Sequence, residues 1–248
     1  MSKKTIIEIN QLVRNFQVGD ETVHALRKVS FAIHEGEFVT IMGTSGSGKS
    51  TLLNILGCLD TPTEGEYLLD GESVSKMSKD QRAEYRNRKI GFIFQSYNLL
   101  SRTTALDNVA LPLLYNGHIG KTERIERAKQ ALIDVGLENR MYHFSNQMSG
   151  GQQQRVAIAR ALVNNPVIIL ADEATGNLDT RTSFEILSLF QALHKAGKTI
   201  IFVTHNPELS QYSSRTILLR DGQIISDTRN EQPLSAADTL ATLPKTDL

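Results

Sequence analysis

The stretch Val39-Thr40-Ile41-Met42-Gly43-Thr44-Ser45-Gly46-Ser47-Gly48-Lys49-Ser50 decides the fold. Four apolar or β-branched residues run into G-x-x-x-x-G-K-[ST], and helical periodicity follows from Lys49 to Cys58. A strand, a glycine-rich loop and a helix in that order form a phosphate-binding loop. Glycine keeps Cβ atoms away, so backbone N–H groups converge on an anion, and the helix presents its positive end to the same charge. Lys49 is expected to reach the β- and γ-phosphates of a nucleotide and Ser50 to ligate Mg²⁺, with Thr44, Ser45, Gly46, Ser47, Gly48 and Thr51 completing the cradle.

Outward from this loop the chain reads as a sheet-based core. Ile6–Phe16, Val29–Ile33, Phe38–Met42, Glu66–Leu69 and Ile90–Phe94 have strand character, and Ser78–Asn87 is helical. Between 96 and 148 the pattern turns helical, at Ala105–Tyr115 and Thr122–Val135. Val167–Ala171 and Thr199–Val203 are short, β-branched and almost continuously apolar, as buried parallel strands are, with a crossover helix at Phe184–His194 between them. After Asp227 the chain becomes polar and aperiodic, and residues 228–248 are expected to form a mobile extension.

Composition narrows the function. The 248 residues carry 27 Lys+Arg against 27 Asp+Glu, a net charge of zero that argues against a dedicated nucleic-acid binder. The single cysteine, Cys58, excludes an internal disulfide, and no Cys/His cluster has zinc spacing. There is no signal-peptide h-region and no stretch of about 20 apolar residues, so any membrane role is expected to come through a partner.

Two further motifs carry chemistry. The buried strand Val167–Ala171 ends in Asp172-Glu173, two carboxylates that are costly at such a place unless a ligand needs them. Ligands in α/β folds sit beyond the carboxyl ends of the strands, so Asp172 fits a Mg²⁺-holding acid and Glu173 a base that polarises the attacking water. Ser149-Gly150-Gly151-Gln152 precedes a strong helix, Gln153–Val163, and repeats the logic of small residues at a helix N-terminus. As an isolated motif it also reads as an ordinary N-cap. One chain thus carries two phosphate-cradling devices, which serve one nucleotide only if the second comes from another copy.

The ordered set Gly43–Ser50, Gln95, Ser149–Gln152, Asp172-Glu173, Gly176-Asn177-Leu178-Asp179 and His205 resembles the ATP-binding cassette ATPase family over residues 5–227. That resemblance implies an α/β fold, a P-loop NTPase (RecA-like) parallel-sheet core with an antiparallel β subdomain and an α-helical insertion. The core and β subdomain would occupy 1–95 and 149–227, and the insertion 96–148. It also implies ATP and Mg²⁺ as cofactors, Gln95 as a further contact to the metal or water, and Asp179 as a residue crossing a homodimer interface. Ser149–Gln152 would be the signature motif, with Met148 where leucine is usual, His205 would sit near the γ-phosphate, and Phe16 would stack on adenine. Ala174 departs from the family's usual proline and frees one backbone angle after the base.

Ile55-Leu56-Gly57-Cys58-Leu59-Asp60, Gly91–Gln95 and Thr175–Asp179 further resemble the macrolide-export and lipoprotein-release branch. There the ATPase drives export or extraction, so the resemblance implies a permease, here expected as a separate chain. It implies a peripheral place on the cytoplasmic face of the inner membrane and allows a periplasmic adaptor as a further partner. A soluble cassette acting on nucleic acid or ribosomes is the alternative. The zero net charge, the single cassette and the lack of a long heptad segment between Gly43 and Asp172 weigh against it. The cationic run Lys76, Lys79, Arg82, Arg86, Arg88 and Lys89 reads as a solvated helix face or as a contact with the permease or inner leaflet.

Overall fold

The computed structural model describes residues 3–117 and 119–244. The chain builds two sheets. An antiparallel sheet contains β1 (Thr5–Val18), β2 (Glu21–His34), β4 (Glu64–Leu69) and β5 (Glu72–Ser73) in the order β2-β1-β4-β5. The other contains β3 (Phe38–Met42), β6 (Ile90–Ile93), β7 (Ile168–Asp172), β8 (Thr199–Thr204), β9 (Arg215–Arg220) and β10 (Gln223–Arg229) in the order β10-β9-β3-β8-β7-β6. Its first five strands in sequence pair in parallel, and β10 adds an antiparallel edge. The helices are α1 (Lys49–Leu56), α2 (Lys79–Lys89), α3 (Ala105–Leu114), α4 (Lys121–Asp134), α5 (Gly150–Leu162), α6 (Thr180–Lys195), α7 (Pro207–Ser210) and α8 (Ala236–Thr242).

The period-2 alternation of a strand explains the layering. All six residues of β8 are buried because both faces of the parallel sheet are covered. Ile200 and Phe202 point into a core shared with α3, α5 and α6, whereas Ile201 and Val203 point into a second core shared with α1 and the antiparallel sheet. β7 divides in the same way, Ile169 to the first core and Ile168 and Leu170 to the second. α1 contributes Leu52, Leu53, Ile55 and Leu56 to the second core, which seats the helix behind the phosphate loop.

Several elements differ from the sequence expectation. β2 begins at Glu21, eight residues before the expected strand, because its exposed first half pairs with β1 from Arg14 to Val18 and needs no apolar face. α5 begins at Gly150 rather than Gln153. Ser149 accepts from the Gln152 backbone and the Gln152 side chain accepts from Ser149 N–H, a capping box that carries two glycines into the first turn. β10 runs to Arg229, past the boundary expected at 227, and 228–244 is not the expected mobile extension. Instead α8 docks on α6, with Ala236 fully buried and its N–H bonded to Gln191 Oε1 at 2.8 Å. Residues 245–248 of that expected extension lie outside the described residues.

Tyr67 on β4 ties the antiparallel sheet to α1. Its ring is fully buried and its hydroxyl donates to the Leu56 carbonyl at 2.8 Å, satisfying an acceptor in the last turn of α1. Burial also holds the phenol far above its ordinary pKa, so it stays a neutral donor. Tyr67→Phe leaves a buried carbonyl without its partner and is expected to lower stability by about 1–3 kcal/mol. For a domain of this size the Tm falls by roughly 2–4 °C per kcal/mol, and differential scanning calorimetry with and without nucleotide checks the shift.

Candidate active site

The phosphate loop lies between β3 and α1, at the carboxyl end of the parallel sheet. Thr44, Ser45, Gly46, Gly48, Lys49, Ser50 and Thr51 line a cleft of about 850 Å³ together with Gln95, Asp172, Glu173 and His205. Four separate stretches of the chain that the sequence singled out therefore meet in one place. Gly48 has φ +101°, a conformation that disfavours any side chain, and a Cβ there would lie 2.6 Å from the Ala25 carbonyl oxygen. A Cβ at Gly43 would lie 2.3 Å from the Leu219 carbonyl oxygen. The Ser47 side chain is buried under the loop, and its Oγ is without a hydrogen-bond partner.

Lys49 Nζ donates to the Gly43 carbonyl at 2.7 Å and to the Thr44 carbonyl at 2.8 Å. Burial pulls this ammonium below its ordinary pKa, against the attraction of Glu173 and Asp172. Asp172, the last residue of β7, is pushed the other way. Burial raises its carboxyl above the usual range, the Glu173 charge adds to the rise, and Lys49 opposes it. Both charges are thus held where solvent does not support them, next to a nest of backbone N–H groups suited to an anion.

Glu173 follows with φ +44°, the left-handed region that costs a residue other than glycine roughly 1–2 kcal/mol. Two backbone hydrogen bonds hold it there, Glu173 N–H to the Val203 carbonyl at 2.9 Å and Gly176 N–H to the Glu173 carbonyl at 2.8 Å. Its Oε1 lies 2.8 Å from His205 Nδ1. An ionised carboxylate only accepts, so Nδ1 carries the proton of this bond. Gln95 follows β6, its carbonyl accepts from Asn177 Nδ2 at 3.1 Å, and its side-chain amide packs against Gly176. Among the described residues no group of three or more His, Cys, Asp or Glu forms a metal cluster. Ser50, Gln95 and Asp172 offer hard oxygen donors with a single carboxylate, a set that suits Mg²⁺, which takes its remaining ligands from water and phosphate.

Phe16 lies at the end of β1 opposite Val23, is 37% exposed, and has the Arg14 guanidinium 4.5 Å above its ring. Val23, His24 and Ala25 of β2 line the cleft and were not foreseen. No alternation marks them: the period of Ile33, Phe31 and Val29 breaks at Arg27, and residues 21–24 are all exposed. The other motif sites fall elsewhere. Ser149, Gly151 and Gln152 line a separate depression with Arg155, Thr182 and Glu185. Asp179 caps α6, accepting from Thr182 N–H at 2.9 Å and from its hydroxyl, and those bonds lower its pKa. Gly151 faces Thr182 so closely that a Cβ would lie 2.4 Å from its methyl group. A third groove, about 720 Å³, opens between α2, β6, α3 and α5, floored by Phe92 and Phe94 stacked at 4.2 Å and rimmed by Leu59, Tyr115, Arg86 and Arg160.

A phosphate cradle at the carboxyl end of a parallel sheet, with an acid ending β7 beside it, defines a P-loop NTPase. The ABC transporter profile matches residues 26–176. An uncharacterised ABC transporter ATP-binding protein of Thermotoga maritima is 58% identical over 221 residues, 89% of this chain and 94% of that one. A macrolide export ATP-binding/permease protein of Chlorobium phaeobacteroides is 52% identical over 229 residues, 92% of this chain but 34% of the longer relative. A dimeric ATP-binding cassette solved in a post-hydrolysis state with ADP and Pi superposes with a TM-score of 0.82 at 45% identity, covering 90% of this chain and 98% of that one. The chain belongs to the ABC transporter family. Its activity is ATP hydrolysis by a transporter ATPase, and no helix among the described residues is long and apolar enough to cross a membrane.

The raised Asp172 pKa carries a sign. The folded state binds that proton more tightly than the unfolded chain, so the ionised carboxylate weakens the fold as pH rises through the folded pKa. Asp172→Asn is therefore expected to raise the Tm of the nucleotide-free protein at pH 7, with a smaller gain at pH 4. Hydrolysis should fall on the order of 100-fold or more because a carboxylate charge beside the phosphate loop is lost. Paired thermal melts and phosphate-release assays check both signs.

Proposed function

We propose that this chain binds ATP–Mg²⁺ in the Lys49 cleft and hydrolyses it in a head-to-tail homodimer that energises export or extraction through a separate permease. The observation that carries the reading is that two sites built for anions occur in one chain and do not share a cleft. A two-fold axis that sets Ser149–Gln152 of one copy over the phosphate loop of the other makes two equivalent complete sites.

In this reading the Gly43–Thr51 backbone cradles the phosphates and Lys49 turns from the Gly43 and Thr44 carbonyls toward the β- and γ-phosphates. Ser50, Gln95 and Asp172 would hold Mg²⁺, which when bound neutralises phosphate charge. Glu173 is the general base: it takes a proton from the attacking water as oxygen closes on the γ-phosphorus and the bond to the β-phosphate oxygen breaks. His205, fixed by its 2.8 Å bond to Glu173, orients that carboxylate. Phe16 stacks on the adenine, and Asp179 and the signature residues of the other copy complete the site. The groove over Phe92 and Phe94, with its apolar floor and Arg86 and Arg160 at the rim, suits a permease segment. Its walls are drawn from both the sheet core and the end of α3, Pro112 and Tyr115, so motion between them reaches the partner. The place implied is the cytoplasmic face of the inner membrane, and the macrolide-export name of one relative supports efflux.

Glu173→Gln is expected to keep ATP binding while hydrolysis falls about 10²–10⁴-fold and an ATP-bound dimer accumulates, read by size-exclusion chromatography and phosphate release. Unchanged turnover would remove Glu173 from the role of base. Shared sites are tested by mixing two inactive variants, Lys49→Ala and Ser149→Arg. Mixed dimers hold one site with both defects and one with neither, so activity should return. Full inactivity in mixed dimers confirmed by cross-linking, together with no ATP-dependent cross-link between cysteines placed at the exposed Ser45 of one copy and Ser149 of the other, would reject the shared site.

A further inference from the structure

We infer that the C-terminal segment Leu234–Pro244 is a strap that positions the first turn of α6, and through it the Asp179 and Ser149–Gln152 loops, with Arg181 as the positioning residue. The segment grips α6 at both ends. Toward the C-terminal end of α6, Gln191 Nε2 donates to the Leu234 carbonyl at 2.7 Å and to the Tyr212 carbonyl at 2.9 Å, while its Oε1 accepts from Ala236 N–H. Between the ends the Tyr212 hydroxyl meets Thr239 Oγ1 at 3.0 Å. In the first turn of α6, Arg181 Nη2 donates to the Leu243 carbonyl at 3.0 Å and the Pro244 carbonyl at 2.9 Å, just past the end of α8. Arg181 Nε is buried without a partner, so among the described residues these two carbonyls take all the hydrogen bonds that the guanidinium makes. The side chain is half-buried, and among the described residues Nη2 is its one bonded nitrogen, so losing both carbonyls leaves the head group without a partner beside its buried Nε, and the strap and the turn hold each other.

The gripped turn is the one that carries the interface chemistry. Asp179 caps it, Thr182 closes that cap, and the Thr182 methyl group fills the space above Gly151. A shift of Arg181 therefore moves the residues on either side of it, and with them the packing that sets α5's first turn. The phosphate cleft is not part of this path: none of Arg181, Gln191 or the strap lines it.

The inference rests on the shared-site dimer, and the test separates the two. In a Glu173→Gln background, ATP-driven dimerisation is followed by light scattering, and ADP affinity of the monomer reports on the phosphate loop alone. Arg181→Met is expected to raise the ATP concentration for half-dimerisation about 5–20-fold while ADP affinity stays within twofold, and Arg181→Lys, which keeps a charged donor nitrogen, to restore part of it. A chain ending at Leu234 should behave as Arg181→Met does. If Glu173→Gln itself does not dimerise with ATP, the shared-site reading fails. If it dimerises, and Arg181→Met shifts only the Tm while the ATP midpoint is unchanged, the strap has no positioning role. Should the shortened chain not fold, the Arg181 pair alone decides.

Discussion

The structure depends on how closely three backbones approach one another at the phosphate loop. Gly43 packs under the Leu219 carbonyl, while Gly48 and Gly222 both lie where a Cβ would strike the Ala25 carbonyl. The contacts are bonded as well as tight: Gly222 N–H donates to the Ser47 carbonyl at 3.0 Å and Arg27 N–H to the Gly222 carbonyl at 2.8 Å. Ala25 belongs to the antiparallel sheet, Leu219 and Gly222 to the β9–β10 hairpin, and the loop itself to β3 and α1. One junction, admitting no side chain, thus joins the two sheets and fixes the anion nest between them. A methyl group there would force backbone apart rather than rotate a side chain, so rigidity of the nest comes from the fold as a whole.

That rigidity has an electrostatic counterpart. Lys49 and Asp172 are each held in the charge state that burial opposes, and each partly supports the other. Lys49 spends its donors on two loop carbonyls, which keeps the ammonium bonded and at the same time braces the loop from inside. Charges placed at a functional site against solvation weaken the fold locally and lower the reorganisation needed when phosphate charge arrives. Glu173 adds backbone strain to the same place. Its positive φ persists because β8 and Gly176 fix it from both sides, and the bond to His205 aims the carboxylate.

Much of this was legible in the sequence, and the illegible parts share a physical cause. The phosphate loop, Asp172-Glu173 and the buried strands were readable because each needs residue types that little else needs: glycines beside a lysine, paired acids after a β-branched run, unbroken apolarity. The first half of β2 was not readable, since its pairing with β1 uses the backbone ladder and polar cross-strand bonds, Thr22 to Gln17 and His24 to Asn15, and its side chains face water. For the same reason Val23 and His24 escaped notice although they line the cleft. β10 alternates exposed and half-buried residues at the sheet edge, and α8 buries only Ala236. Neither needs a buried apolar face: β10 is held by its backbone ladder with β9 and by Arg215 on Asp227, and the α8 segment by hydrogen bonds with Gln191 and Arg181.

The same distinction separates the Lys49 cleft from the Ser149–Gln152 turn. The Lys49 cleft is closed around by one chain and is over-determined by covalent neighbours and glycine contacts. Ser149–Gln152 has no such enclosure: it is a capped helix end whose placement is set by Thr182 behind Gly151 and by Arg155, which reaches Glu185 on α6 and the Val135 carbonyl after α4. α6 is thus the rod that relates the two. Its carboxyl end lies against β8, whose last residues lead to His205, and its amino end carries Asp179 and backs the signature turn. The far end of α5 is held differently: it meets the sheet directly, where a Cβ at Gly91 of β6 would lie 2.4 Å from the Ala161 carbonyl oxygen. The Lys49 cleft is thus fixed by glycine-locked backbone on every side, whereas the first turn of α5 is placed by side chains from α6, a tether that local motion can loosen without opening the sheet.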